Sequence, residues 1–134
     1  MRNILFKAKR LDDNKWIEGY YLKRHNTFDR VEHLIFRCES AIAWEYARID
    51  INTLCQYTGL TDKGGNKIWE NDVVSIDKVD KAAVIFSEKH SGYILQPIGD
   101  FYFDSPMLVH NVDIIDNIIG NIFDNPELLE GGVK

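Results

Sequence analysis

Cysteine, proline and long apolar runs are scarce in this chain of 134 residues, which contains 2 Cys and 3 Pro. Cys38 and Cys55 are too few for a disulfide framework, and no charged stretch followed by an apolar one opens the sequence. The apolar runs are a few residues long, whereas a transmembrane helix needs roughly 20. We therefore expect a cytoplasmic protein with two reduced thiols that does not enter a membrane.

The overall composition predicts a folded core. The chain is 45% hydrophobic, 12% aromatic and 28% charged, which is typical of a globular domain and unlike a disordered segment. A chain of this length buries roughly two thirds of its unfolded surface. We therefore expect one compact domain or two small sub-domains.

Positive and negative charges are unevenly distributed along the chain. Up to Arg48 there are 10 Lys and Arg against 7 Asp and Glu, a net charge of +3; from Ile49 onward there are 6 against 14, a net charge of −8, which together make −5. A pI of about 5.3 disfavours general duplex binding, which needs a basic surface. The N-terminal basic residues fit solvated strand positions, which we favour, or a local nucleic-acid contact. The candidate contacts are Lys7, Lys9, Arg10, Lys23 and Arg24.

Apolar residues in the first third recur with a period of two, which is typical of strands rather than helices. This alternation predicts strands over Ile4–Arg10 and Trp16–Lys23, joined as a hairpin through Asp13 and Asn14, and a third strand over Glu32–Cys38. Residues 39–51 fit either a short helix or a strand, and we favour a strand or turn.

The rest of the chain predicts a small closed barrel, because short strands and turns follow each other closely. A change of charge near Asn52 suggests sub-domains at 1–53 and 54–134. Pro97–Met107 is the one long connection, and we expect Phe101, Tyr102 and Phe103 within it to form a contact surface. The predicted strands are Gln56–Leu60, Ile68–Trp69, Val73–Asp77, Ala82–Phe86, Tyr93–Pro97 and an irregular Val112–Phe123.

A helical turn is predicted at the C-terminal end. Asn125 can cap it, Pro126 suits its first position, and Glu127 favours the positive end of the helix dipole. Gly131 and Gly132 are expected to end it, with the last two residues frayed.

Few residues suggest catalysis. Glu70 and Asp72 would point the same way along a strand, which is the minimum for a divalent ion, although a tight turn explains them more simply. The four histidines have no zinc spacing and fit solvated loops, and no phosphate loop or nucleophile elbow is present. We therefore assign no catalytic, cofactor-binding or metal-binding residue.

Two stretches resemble a known family. Gln56–Val74 contains a Gln-Tyr-Thr-Gly-Leu motif followed by spaced Asp, Gly, Ile, Glu, Asp and Val, and Ile118–Glu130 contains Ile-Gly-Asn and Asn-Pro-Glu-Leu-Leu. Both resemble the YopX family of phage and prophage proteins, whose usual opening also resembles Ile4–Arg10, with Ala8 kept and Lys9 in place of the family's tryptophan. The resemblance implies an SH3-like barrel in the C-terminal part, a phage or prophage origin in a bacterial host cytoplasm, and self-assembly. It implies no site residues.

The sequence thus predicts a mainly β protein with an N-terminal hairpin sub-domain and an SH3-like barrel. The favoured function is a non-catalytic binding or assembly module whose partner is a second copy or a phage or host protein. The alternatives are a nucleic-acid-binding protein that uses the basic hairpin, and a metal-dependent hydrolase in which a third carboxylate joins Glu70 and Asp72.

Overall fold

The computed structural model describes residues 4–38 and 40–130, and it divides the chain into two compact units, Met1–Tyr57 and Thr58–Lys134. The expectation of a mainly β protein is confirmed, because most described elements are strands in antiparallel sheets. The strands are β1 (Phe6–Lys9), β2 (Trp16–His25), β3 (Val31–Cys38), β4 (Trp44–Arg48), β5 (Cys55–Thr61), β6 (Lys67–Trp69), β7 (Asp72–Ile76), β8 (Asp80–Ser87), β9 (Gly92–Ile98) and β10 (Ile115–Asn121). The short helices are α1 (Leu108–Asn111) and three 3-10 turns, Ile51–Thr53, Val112–Ile114 and Pro126–Leu129.

Strand β2 organises the first unit, where the strand order is β4-β3-β2-β1-β5. Its first four residues pair with β1 and its last six pair with β3. The change of partner falls after Gly19, and a Cβ atom there would clash with the backbone carbonyl of Phe36. Glycine therefore permits the close approach of β2 and β3 at this point.

The main hydrophobic cluster of the first unit lies on one face of these strands, which we call the inner face. Ala8, Ile17, Ile35, Ala47 and Ile49 are buried there together. Leu34, which pairs with Leu22 and Arg48 on the opposite face, is also fully buried. The end of β4 returns to the end of β1, where the backbone N–H of Leu11 donates to the carbonyl of Arg48 at 3.0 Å and residues 10 and 49 form a bridge. This contact closes the strands around the small core.

The ambiguous segment 39–51 is a strand in its second half. Trp44–Arg48 forms β4, which pairs with β3 over five residues, so the preference for a strand is confirmed there. The aromatic and β-branched side chains of this segment outweigh its helix formers because β3 offers a pairing edge. Glu39 lies outside the described residues.

The second unit contains a four-stranded sheet in the order β10-β7-β8-β9, which is buried on both faces. One face contributes Val74, Val84 and Leu95 to the larger core, and the other contributes Val73 and Ala83 to a smaller one. Because neighbouring residues of one strand point to opposite faces, burial on both sides explains the nearly continuous apolar runs of β7 and β8.

The strand predicted over Val112–Phe123 is too long at both ends, since β10 is Ile115–Asn121. Val112–Ile114 is a 3-10 turn rather than strand, and it follows helix α1, which the alternation of apolar residues did not indicate. The expected irregularity is present, since the pairing of β10 with β7 shifts between Ile115 and Asn117 and again between Ile118 and Gly120. Closure of the second unit as an SH3-like barrel remains a prediction.

The predicted cap of the last helical turn is also wrong. Pro126–Leu129 is a 3-10 turn as expected, but the side chain of Asn125 makes no capping bond to it. Its Oδ1 instead accepts from the backbone N–H of Asn121 at 3.2 Å, so the amide reaches back to β10. The predicted glycine end of this turn, Gly131–Gly132, and the frayed Val133–Lys134 lie outside the described residues.

Candidate functional site

The first family-like motif builds a tight hairpin between β5 and β6. The Oδ1 atom of Asp62 accepts from the backbone N–H groups of Gly64 and Asn66, both at 2.9 Å, and from the side-chain amide of Asn66. Gly65 has φ +83, which glycine adopts without strain. Burial alone would raise the pKa of Asp62, but these bonds and one from the backbone of Ile118 outweigh it and lower the pKa. The Asp62 side chain therefore stabilises this turn.

Glu70, Asn71 and Asp72 form the step from β6 into β7. The Oδ2 atom of Asp72, which is buried, accepts from the backbone N–H of Trp69 at 2.8 Å. Asn71 has φ +73, a region that asparagine and glycine tolerate better than other residues. Within residues 4–38 and 40–130, no three His, Cys, Asp or Glu side chains are placed to bind a metal ion. Glu70 and Asn71 lie in a turn and Asp72 begins β7, so the geometry matches the turn interpretation of Glu70 and Asp72.

The second family-like motif packs the last turn onto β10. A Cβ atom on Gly120 would clash with the side chains of Asn125 and Leu128. Asn121 Oδ1 accepts from the backbone N–H groups of Phe123 at 3.0 Å and Asp124 at 2.9 Å. Both motifs therefore consist of residues that form turns and close contacts.

The predicted contact surface at Phe101, Tyr102 and Phe103 is split by the structure. Phe101 and Phe103 pack against the larger core of the second unit and meet edge to face, with ring centroids 5.3 Å apart. Tyr102 points away and is 83% exposed. The connection therefore presents one ring to solvent rather than three.

The five predicted basic contacts are divided between the two faces of the first unit. Directly paired residues share a face, and the register places Lys7 opposite Glu18 and Arg24 opposite Glu32, away from the inner face. We call this side the outer face, and Lys9 lies on it too. The inner face, by the same register, has the remaining two, Arg10 and Lys23.

Ion pairs engage several of the arginines. Glu45 accepts from Arg10 at 2.7 Å and from Arg37 at 2.8 Å, and Arg24 lies 3.3 Å from Glu32. The hydrogen bond from Arg10 is the main reason why the pKa of Glu45 is lowered. These arginines are therefore partly neutralised by neighbouring carboxylates.

Of the four histidines expected in loops, His90 lies in the turn between β8 and β9 as predicted, whereas His25 and His33 lie in strands and His110 in a helix. His33 lies within β3, is half-buried, and its Nδ1 is 2.6 Å from the hydroxyl of Tyr21. His90 is in a turn with its Nδ1 2.8 Å from Ser87 Oγ, and His110 is in α1, 2.9 Å from Ser105 Oγ. Each of these three rings thus has a hydroxyl partner close by.

Exposed aromatic rings gather on the outer face of the first unit. Tyr20 is 59% exposed, Trp44 is 65% exposed and Tyr46 is 59% exposed. Phe36 lies between Tyr20 and Tyr46 in the register, with its ring centroid 5.6 Å from that of Tyr46. We call these four residues and Trp16, which pairs with Lys9, the outer aromatic face. Their alternation with inner-face residues in β2 and β4 was the available signal.

The described helices include none that is both long and apolar enough to cross a membrane. Fold and surface together define a small, mainly β protein of two antiparallel units that presents an aromatic sheet face. The family model described as YopX protein matches residues 5–130, and the chain belongs to this family. The family resemblance of the sequence motifs is thereby confirmed. No curated protein matches the chain.

Proposed function

We propose that this chain is a non-catalytic binding module of phage or prophage origin that acts in the bacterial host cytoplasm through the outer aromatic face. The exposure of Tyr20, Trp44 and Tyr46 on one side of three paired strands is the observation that supports the proposal. Aromatic residues are enriched in protein contact surfaces because they bury much area while losing few rotatable bonds.

The second unit supports the same proposal because its candidate residues form turns and core packing rather than an exposed surface. Its acidic and glycine residues in the family motifs form turns, as Asp62, Asp72 and Gly120 show. Its rings at Phe101 and Phe103 pack inward. The residues of the second unit that could suggest a site are thus explained by folding, whereas exposed rings in the first unit stabilise little while they face water.

Partners of this module include a second copy of the chain or another phage or host protein. Strand β4 is at the edge of the sheet order in the first unit, and its Trp44 and Tyr46 side chains are exposed. Edge strands with exposed apolar side chains are ready surfaces for association. Assembly through this edge would cover both rings.

The test compares substitutions on and off the outer aromatic face. Tyr46→Ser removes an exposed ring from the face, and Tyr102→Ser removes one from the second unit as a matched control. We expect Tyr46→Ser to reduce assembly, measured as molar mass of the purified protein by light scattering and as complex size in host extract by gel filtration. Tyr102→Ser should behave as the wild type. If both variants match the wild type in both measurements, the proposal fails.

A further inference from the structure

The outer aromatic face has a regular arrangement that suggests a ligand class beyond the protein partners of the proposed function; the inference rests on that function only in using the same surface. Tyr20, Phe36 and Tyr46 occupy directly paired positions on β2, β3 and β4, so they form a row across the strands. Adjacent strands lie about 4.8 Å apart, and alternate residues of one strand are about 7 Å apart. Trp44 therefore stands about 7 Å from Tyr46 along β4.

Cationic groups accompany the rings at the other end of the face. The amine of Lys7 lies 4.8 Å from the ring centroid of Trp16, and that of Lys9 lies 5.6 Å from it. An ammonium group over an aromatic ring is a favourable cation–π arrangement. The two amines therefore lie over the Trp16 ring and add positive charge to this end of the outer aromatic face.

The balance of charge on the outer face is positive. By strand register the face has Lys7, Lys9, Arg24 and Arg48 against Glu18 and Glu32, which is 4 − 2 = +2. Over the whole unit 1–57 there are 10 Lys and Arg and 8 Asp and Glu, again +2, whereas 58–134 has 6 and 13, or −7. The rings are thus on the positively charged unit of an acidic chain.

We propose that the outer aromatic face binds unpaired nucleotides of DNA or RNA. Bases stack on Tyr20, Trp44 and Tyr46, and the phosphates lie near Lys7, Lys9 and Arg48. Every base has an apolar ring face, so stacking tolerates any sequence, and the phosphates explain why positive charge accompanies the rings. Base-paired strands hide those ring faces inside the duplex, so the surface discriminates against duplex.

The probes are fluorescein-labelled dT20 and rU20, together with a duplex of the same length, and binding is measured by fluorescence anisotropy with the full chain. We expect binding of the single strands in preference to the duplex, with affinity that falls as salt rises. Comparison of dT20 with rU20 decides which nucleic acid is preferred. Quenching of tryptophan emission should accompany binding, since Trp44 is exposed while Trp69 is buried.

Substitutions separate stacking from general charge attraction. Trp44→Ala should weaken dT20 binding about tenfold, whereas Trp44→Phe should retain most of the affinity because it keeps a stacking ring. Arg48→Gln should weaken binding of both single strands and reduce its salt dependence. Tyr102→Ser is the control, a more exposed ring on the other unit, and should not change the affinity.

Three outcomes would overturn the inference: no anisotropy change with either oligonucleotide, equal affinity for the duplex, or an equal loss of affinity in Tyr102→Ser and Trp44→Ala. Circular dichroism of each variant checks that it is folded. If Tyr46→Ser reduces assembly while no oligonucleotide binds, the nucleotide inference fails and the binding module stands. If neither assembly nor oligonucleotide binding responds to outer-face substitutions, both fail.

Discussion

The two units differ in where their large apolar side chains lie. The first unit contributes 53 of the 126 described residues but ten of the sixteen exposed large apolar side chains among them. The second unit buries both faces of its four-stranded sheet, with Leu95 and Ile115 on one side and Val73 on the other. The second unit is therefore the better candidate for a stability scaffold, and the first for a contact surface.

The family motifs follow the same division. Apart from Gln56 and Tyr57, both motifs lie in the second unit, where their distinctive residues form turns. Asp62 organises one hairpin, Asn71 provides a positive φ, and Gly120 allows Asn125 to pack closely. The residues that identify the family therefore form turns and close packing. We expect the residues that contact a partner to lie elsewhere in the chain.

Leu95→Ala should have the largest effect on stability, because it opens a cavity in the core of the second unit where Leu95 is fully buried. We expect a loss of about 3 kcal/mol in the free energy of unfolding, measured by urea denaturation. Leu11→Ala is the matched control, since this leucine is 62% exposed in the first unit and should change stability by less than about 0.5 kcal/mol. Similar losses of unfolding free energy in both variants would contradict the assignment of the second unit as the stability scaffold.

Asp62→Asn should have an intermediate effect that depends on pH. The substitution removes the charge that strengthens bonds from Gly64 and Asn66, so we expect a loss of about 1 kcal/mol near neutral pH. The folded pKa of Asp62 is lowered, so its contribution is present above the unfolded value of about 3.9 and disappears as pH falls through the folded pKa.

Thermal melts of the wild type and Asp62→Asn between neutral pH and acid should therefore converge as the pH falls below about 4. Asp100→Asn serves as the control because Asp100 is exposed in the loop after β9. A difference between Asp62→Asn and the wild type that stayed constant through the acid range would mean that the charge of Asp62 does not support the hairpin.

Trp44→Ser should have the smallest effect on stability, although it removes the largest ring of the outer aromatic face. The side chain is 65% exposed at the start of an edge strand, so we expect a loss of less than about 1 kcal/mol in urea denaturation. Ile35→Ala, on the buried inner face of the same unit, is the comparison and should cost about 3 kcal/mol. A loss for Trp44→Ser as large as that for Ile35→Ala would show that the ring stabilises the fold.

Local patterns were sufficient for most strands. Alternation over Trp16–Lys23 indicated β2, which extends two residues further to His25, and Ile68–Trp69 fell within β6. Helix α1 and the 3-10 turn at Val112 were missed because they are short and have no periodic pattern of their own. Asn125 was misassigned because a cap and a backward bond to Asn121 use the same side chain, and only the position of β10 decides between them.

The outer aromatic face could not be assigned from the sequence, since the same alternation describes a ring on either side of a strand. Tyr21 and Tyr20 are neighbours in β2, yet Tyr21 packs with the inner core and Tyr20 is exposed. Likewise, three consecutive rings at Phe101–Phe103 suggested a surface until the core of the second unit was seen to receive two of them.

The order of the amino acids was enough to establish the mainly β class and the family, because both are recognised from strand alternation and turn residues at neighbouring positions in the sequence. Which face of each strand is buried, and which backbone group the Asn125 side chain bonds, followed from folding alone. Those properties depend on the strands and loops that cover a residue, and these come from distant parts of the chain, as the contact of Gly19 with Phe36 illustrates.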